Sequence, residues 1–178
     1  AKRPGTPVPA GLIIAAAIRG LPVSALMGRI TPEPNGYEEF VRSPLDAPFW
    51  KSLDYVSAGD VLTTPMLVIN TWGDQTIGDT LALADFVRQT SSELANRNHR
   101  VVIGPGNHCD HEGVAQSGEF GEIKVKNADR AYYDMYLAWF DYWLRSIGNG
   151  LLSTPGFTYF MIGENRWLTS SRWPPETS

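Results

Sequence analysis

Two continuous apolar runs, residues 66–70 and 101–103, constrain the fold of this 178-residue chain more than any other feature. Neither run alternates with polar residues, which is the pattern of a strand covered by helices on both faces. Between them, residues 79–95 carry apolar side chains near helical spacing, and Asp79 suits the positive end of a helix dipole. Residues 66–103 are therefore predicted to form a βαβ unit with parallel strands and a right-handed crossover.

The segments on either side are predicted to be simpler. Eight prolines within residues 1–48 restrict that region to loops and short helices. One such helix is expected at Gly11–Ile18. It is too short to span a bilayer, because a spanning helix needs about 20 apolar residues. Another is expected to bury three aromatic side chains on one face: Phe49, Trp50 and Tyr55.

The clearest helix is predicted over Asp129–Ile147, where a broad aromatic face reads as core and Gly148 is placed to end the helix. A further strand is predicted over Phe157–Ile162. No internal repeat or low-complexity tract is found.

Composition bounds the functional classes. An apolar fraction of 43% is typical of a globular chain. The net charge of −4 and the lack of a basic patch argue against nucleic acid as a partner, and no membrane partner is expected. The single cysteine, Cys109, cannot form an internal disulfide, so both a cytoplasmic and a secreted location are compatible with the sequence.

Two parallel strands leave both outer edges of a sheet unpaired, and so small a sheet is not expected to stand alone in water. The remaining strands are predicted to come from a preceding segment or a separate polypeptide. We expect that complement to be this chain's main protein partner.

A carboxylate and an imidazole follow the two apolar runs. Asp74 comes after the first run and His108 after the second, where the loops of a doubly wound sheet converge on one crevice. Their order agrees with the Ser–Asp–His order of α/β hydrolases. In that chemistry His108 would take the proton of a serine, and Asp74 would orient the ring. No Gly-x-Ser-x-Gly nucleophile elbow is present, so the nucleophile is expected outside this chain.

Other interpretations stay open. Asp74 could be a turn former and His108 a surface group, while His99 or His111 could replace His108 as the base. The run 108–111 contains zinc-binding residue types, but adjacent residues do not easily converge on one ion, so neither a metal nor a cofactor is expected. Alternative nucleophiles are less well placed in the sequence: Cys109, Ser24, Ser57 and Ser117.

Four ordered motifs resemble a known family. They are residues 64–74 (TPMLVINTWGD), 102–108 (VIGPGNH), 139–150 (WFDYWLRSIGNG) and 161–174 (from MIGENRW to WP). Together they resemble the cocaine-esterase-like hydrolases, which are grouped with α-amino acid ester hydrolases, glutaryl acylases and X-prolyl dipeptidyl peptidases.

The resemblance implies a division of the chain into three parts. It implies the end of a helical cap in residues 1–60, the later part of an α/β-hydrolase core in 61–150, and the first strand of a β jelly roll in 151–178. The fold class expected is thus an incomplete α/β-hydrolase core. The resemblance also implies Asp74 as triad acid, His108 as triad base and Trp72 as a residue near the acyl pocket.

The sequence thus predicts a fragment or subunit of a serine hydrolase that cleaves esters or amides through an acyl-enzyme. The substrate could be an ester, an acylated amine or a peptide. Without the serine and the oxyanion donors, the isolated chain is expected to be inactive. The alternative is a binding or scaffolding module that keeps the hydrolase fold without the reaction.

Overall fold

The computed structural model describes residues 11–31, 33–53, 56–57, 59–90 and 92–175. Backbone packing divides the chain into two units, Ala1–Ala58 and Gly59–Ser178.

The first unit is built from short helices, as its prolines require. They are α1 (Gly11–Ile18), α2 (Leu26–Ile30), α3 (Tyr37–Arg42) and α4 (Pro48–Ser52). Phe40, Phe49 and Trp50 meet edge to face, with ring centroids 5.0–6.4 Å apart. The helix predicted at Gly11–Ile18 is confirmed. Phe49 and Trp50 are half-buried, and Tyr55 lies outside the described residues.

The second unit is organised around a four-stranded sheet. Its strands are β1 (Leu67–Gly73), β2 (Arg100–Asn107), β5 (Phe157–Met161) and β6 (Arg166–Ser170). They lie side by side in the order β1-β2-β5-β6. β1, β2 and β5 run parallel, and β6 pairs antiparallel with β5. A two-stranded hairpin of β3 (Glu119–Phe120) and β4 (Ile123–Lys124) lies outside this sheet.

Helices connect these strands: α5 (Ile77–Thr90), α6 (Glu93–Asn98), α7 (His111–Ser117) and α8 (Tyr132–Arg145). Residues of α5 pack with Val101, Ile103, Phe157 and Tyr159 in one core cluster. β2 lies at the centre, and its Ile103 is fully buried.

The predicted βαβ unit is confirmed in its parallel pairing, which joins Val68 to Val101 and Ile69 to Val102. Its connection contains two helices where one was predicted. Ser92 caps the second, since its hydroxyl accepts a hydrogen bond from the Ala95 N–H at 3.3 Å. Residue 91, within the predicted helical range 79–95, lies outside the described residues.

The sheet extends further than the sequence predicts. Phe157–Ile162 is expected to open a separate jelly roll, yet β5 pairs directly with β2, joining Val101 to Phe157. One edge of the βαβ unit is thereby covered, and the expectation of two open edges is wrong on that side. The assignment of residues 1–60, 61–150 and 151–178 to cap, core and jelly roll stays a prediction.

The aromatic face of α8 is less buried than expected. Tyr132 and Trp139 are core residues, but Phe140 is 56% exposed and Leu144 is 76% exposed. The prediction that the whole face is core material is therefore wrong for this chain by itself. Among the described residues, none of the helices is both long and apolar enough to cross a membrane.

Candidate active site

A shift in strand register brings the ends of β1 and β2 together. Thr71 pairs with Gly104, but Gly73 pairs with Asn107, so β2 carries one extra residue over this interval. Such a bulge re-aims the side chains that follow it. Continuing the shifted register places residue 74 level with residue 108. The bulge therefore aligns the two residues that the sequence singled out.

Glycines make this close approach possible. Gly106 lies in the bulge at φ 137°, a conformation that residues with side chains rarely adopt. A Cβ on Gly73 would lie 2.7 Å from the Gly106 carbonyl oxygen and 2.8 Å from Asn107 Oδ1. A hydrogen bond also ties the strand ends, because the Thr71 hydroxyl donates to the Asn107 carbonyl at 2.8 Å.

Asp74 and His108 meet directly. The distance from His108 Nδ1 to Asp74 Oδ2 is 2.6 Å. The carboxylate side chain is only 5% exposed, whereas the imidazole is 58% exposed. Since the two ring nitrogens lie on different edges, pairing through Nδ1 leaves the Nε2 edge directed away from Asp74. This is the arrangement in which an imidazole can exchange a proton with another group.

The carboxylate of Asp74 is held in its charged form. Hydrogen bonds from the Thr76 hydroxyl and backbone N–H lower the pKa of Asp74 to about 2, and they outweigh burial, which raises it. The hydrogen bond and charge of His108 lower the pKa further. Asp74 is thus an anion beside the ring across the neutral pH range.

The other two histidines are engaged elsewhere. His99 Nδ1 accepts a hydrogen bond from the Met66 N–H at 2.8 Å. His111 Nε2 lies 2.7 Å from the Tyr136 hydroxyl and 3.0 Å from Glu112 Oε2. Neither takes the place of His108 beside Asp74.

The side chains of the run 108–111 do not converge. His108 and His111 face different partners, and Cys109 is exposed. Within the described ranges, no group of three or more His, Cys, Asp or Glu side chains could hold a metal ion.

Trp72 points into the packing of the sheet. Its indole N–H donates to the Phe160 carbonyl at 2.7 Å, and its ring contacts Tyr159 and Trp173. These contacts give it a structural role, while its predicted place near the acyl pocket remains a prediction.

Among the serines considered as alternative nucleophiles, Ser117 is the last residue of α7. Its hydroxyl accepts a hydrogen bond from the Glu119 N–H.

Sequence reasoning did not predict the residues that hydrogen-bond to Asp74 on the side away from His108. Thr76 donates to Asp74 Oδ1 through its N–H at 2.7 Å and its hydroxyl at 2.6 Å. Asn70 in turn donates to the Thr76 hydroxyl at 3.3 Å. An available signal was the Asp-x-Thr spacing after a strand, since aspartate often bonds the backbone N–H two residues on.

Comparison with known proteins gives a sequence relative and structural neighbours, and no family model matches. The chain is 27% identical over 165 residues to the cocaine esterase of Rhodococcus sp. (strain MB1 Bresler). This alignment covers 92% of the chain and 27% of the esterase.

Solved structures share the fold. A CocE/NonD family hydrolase from Staphylococcus aureus matches with a TM-score of 0.55 at 16% identity, over 85% of this chain and 25% of that one. An aminopeptidase from a marine sediment archaeon, Thaumarchaeota archaeon, matches with a TM-score of 0.54 at 23% identity, over 80% of this chain and 25% of that one. The chain spans about a quarter of the length of these proteins.

Proposed function

We propose that this chain supplies the acid and the base of a serine hydrolase. The comparisons confirm its resemblance to the cocaine-esterase-like hydrolases and its α/β fold class. Asp74 is the acid and His108 the base. The nucleophilic serine comes from a complementary hydrolase segment or chain. The observation that carries the proposal is the 2.6 Å contact between His108 Nδ1 and Asp74 Oδ2 at the ends of adjacent parallel strands.

The proposed reaction uses both ring nitrogens of His108. Nδ1–H donates to Asp74, so the unprotonated Nε2 takes the proton of the serine hydroxyl as the serine oxygen bonds to the substrate carbonyl carbon. The same nitrogen returns the proton to the leaving alcohol or amine. A water that His108 deprotonates then attacks the acyl carbon. The acyl group leaves as the carboxylic acid, and His108 returns the proton to the serine oxygen. Asp74 stays ionised and stabilises the imidazolium, as its depressed pKa favours.

The free edge of the sheet supports the need for a complementary segment. β1 is the outermost strand, and no strand among the described residues pairs with its other edge. Leu67 and Ile69 of β1 are only half-buried, whereas Ile103 of β2 is fully buried. An apolar strand edge of this kind is ready to pair with a further strand.

Helix α8 supports the same proposal. Its exposed apolar residues follow one another at helical spacing and form a stripe of Tyr133, Leu137, Phe140 and Leu144. A groove of about 350 Å³ lies between this helix and β1, lined by Leu67, Ile69, His111, Tyr136, Trp139 and Phe140. We propose that the serine-bearing segment adds a strand to β1 and an apolar helix to α8. Relatives more than three times as long contain ample chain for this.

The test is to produce the chain together with the hydrolase segment that precedes it in its coding sequence, and to measure turnover of an activated ester. Asp74→Asn should lower kcat by roughly 10⁴-fold, as loss of a triad acid does in other serine hydrolases, and His108→Ala by at least as much. Asp79→Asn is the matched control, since Asp79 is exposed in the first turn of α5. Turnover equal to the control in both site variants would refute the assignment.

The rival hypothesis is a binding or scaffolding module. It predicts that the preceding coding sequence also lacks a Gly-x-Ser-x-Gly elbow, and that the combined protein has no esterase activity. The anionic Asp74 beside an exposed imidazole favours the catalytic proposal. Whether the substrate is an ester, an acylated amine or a peptide is a matter for a substrate panel on the combined protein.

A further inference from the structure

The two oxygens of Asp74 have separate partners. Oδ2 faces His108, while Oδ1 accepts both hydrogen bonds from Thr76. A carboxylate turns easily about its last torsion, because the energy wells there are broad. Two donors from one residue therefore fix which oxygen faces the imidazole.

The hydroxyl of Thr76 is itself oriented. Asn70 donates an N–H to Thr76 Oγ1 at 3.3 Å and to Thr80 Oγ1 at 2.7 Å, while its amide oxygen accepts from the Thr71 N–H at 2.7 Å. A threonine hydroxyl has one proton to donate. Because Asn70 donates to a lone pair of the Thr76 hydroxyl oxygen, the hydroxyl proton is directed to Asp74.

We propose that Thr76, oriented by Asn70, is a positioning residue that holds Asp74 against His108, an inference that rests on the proposed triad role of this pair. The side-chain and backbone donors of Thr76 both bond to Asp74 rather than to a reacting atom. Thr76 acts through the carboxylate, and it links the end of β1 to the start of α5.

Activity and stability can be separated at this position. Thr76 is exposed, and its backbone N–H would remain bonded to Asp74 when the hydroxyl is removed. Exposed substitutions usually change stability little. If Thr76 has a purely structural role, removing its hydroxyl should lower stability slightly and leave kcat unchanged. If Thr76 is a positioning residue, removing its hydroxyl should lower kcat while stability stays nearly the same.

The first experiment measures kcat and KM of the combined hydrolase, which is this chain produced together with the proposed serine-bearing segment. Thr76→Val should lower kcat about tenfold with KM unchanged, the effect of weakening one hydrogen bond to a charged group. Thr76→Ser, which keeps the hydroxyl, should restore most of kcat. Thr90→Val is the matched control, because the Thr90 hydroxyl donates to the Phe86 carbonyl within the same helix.

The second experiment does not depend on activity. The chain has three histidines, so the ¹⁵N chemical shifts of His108 can be followed directly. We expect the Nδ1-protonated ring to dominate in the wild-type chain and in Thr76→Ser. In Thr76→Val and in Asp74→Asn, we expect a mixture of the two tautomers.

The outcomes distinguish the two claims. If Asp74→Asn changes both kcat and the tautomer while Thr76→Val changes neither, the positioning role is overturned and the proposed function stands. If Asp74→Asn leaves kcat at the wild-type value, the proposed function itself fails.

Discussion

The bulge in β2 is the feature on which the alignment of Asp74 with His108 depends, and Gly106→Ala tests it. The φ of Gly106 is 137°, and an added Cβ would lie 3.2 Å from the Asp110 carbonyl oxygen and 3.3 Å from Thr71 Cγ2. Backbone strain of this kind costs about 1–3 kcal/mol, and the tight contacts add to it. We expect the free energy of unfolding to fall by about 2–4 kcal/mol.

Urea unfolding followed by tryptophan fluorescence measures this loss. With a denaturant dependence of about 2 kcal/mol per molar, the midpoint should fall by about 1–2 M. If the strand instead relaxes by losing the bulge, β2 slips by one residue, or about 3.3 Å. The pairing with Asp74 is then broken, and kcat of the combined hydrolase should fall at least about 100-fold.

Gly78→Ala is the matched control. Gly78 lies in α5, and an added Cβ there would meet no atom within 4 Å. Alanine in a helix is favoured over glycine by about 0.5–1 kcal/mol, so this variant should be as stable as wild type or slightly more so. The reasoning is refuted if Gly106→Ala unfolds at the same urea concentration as Gly78→Ala with unchanged kcat.

Three further changes probe the surroundings of the site. The pKa of Asp74 in the folded chain is about 2, below its ordinary value of about 4. The ionised carboxylate therefore stabilises the folded chain above pH 4, and this stabilisation is lost as the pH falls toward 2. The stability difference between wild type and Asp74→Asn, measured by urea unfolding at stepped pH, should therefore shrink over that window; a constant difference would contradict the assignment. Arg100→Met should cost about 3 kcal/mol in the same assay, since the buried guanidinium donates to the carbonyls of Arg97 and Leu152, and a cost below 1 kcal/mol would show those bonds to be dispensable. Trp72→Phe should cost about 1 kcal/mol by removing the donor to the Phe160 carbonyl, whereas a raised KM at full stability would place Trp72 in the pocket.

Local patterns were enough to predict the strands and helices nearest the site. The apolar runs became β1 and β2, since residues buried on both faces leave a continuous signal. The helix predicted over Asp129–Ile147 is α8, although its ends lie a few residues inside the predicted ones. Asp74 and His108 could be singled out as candidates because strand order and loop position follow from the same pattern.

Features that depend on distant parts of the chain were not predicted. Paired residues of β2 and β5, such as Val101 and Phe157, are 56 positions apart in the chain, and a short apolar run does not indicate which strand it will pair with. The bulge at Gly106 requires a backbone angle that the sequence allows but does not reveal. The proposed role of Thr76 depends on where its hydroxyl points, which the sequence does not show. The apolar spacing of α8 likewise does not show which of its apolar side chains are exposed.

In the proposed hydrolase His108, held by Asp74, activates a serine that lies outside these 178 residues. The most direct measurement is labelling with a fluorophosphonate probe, followed by mass spectrometric mapping of the labelled residue. The account predicts no labelling of the isolated chain, and rapid labelling of the combined hydrolase on a serine of the complementary segment that His108→Ala abolishes. Labelling of Ser24, Ser57 or Ser117 in the isolated chain, or labelling of the combined protein that His108→Ala leaves unchanged, would contradict it.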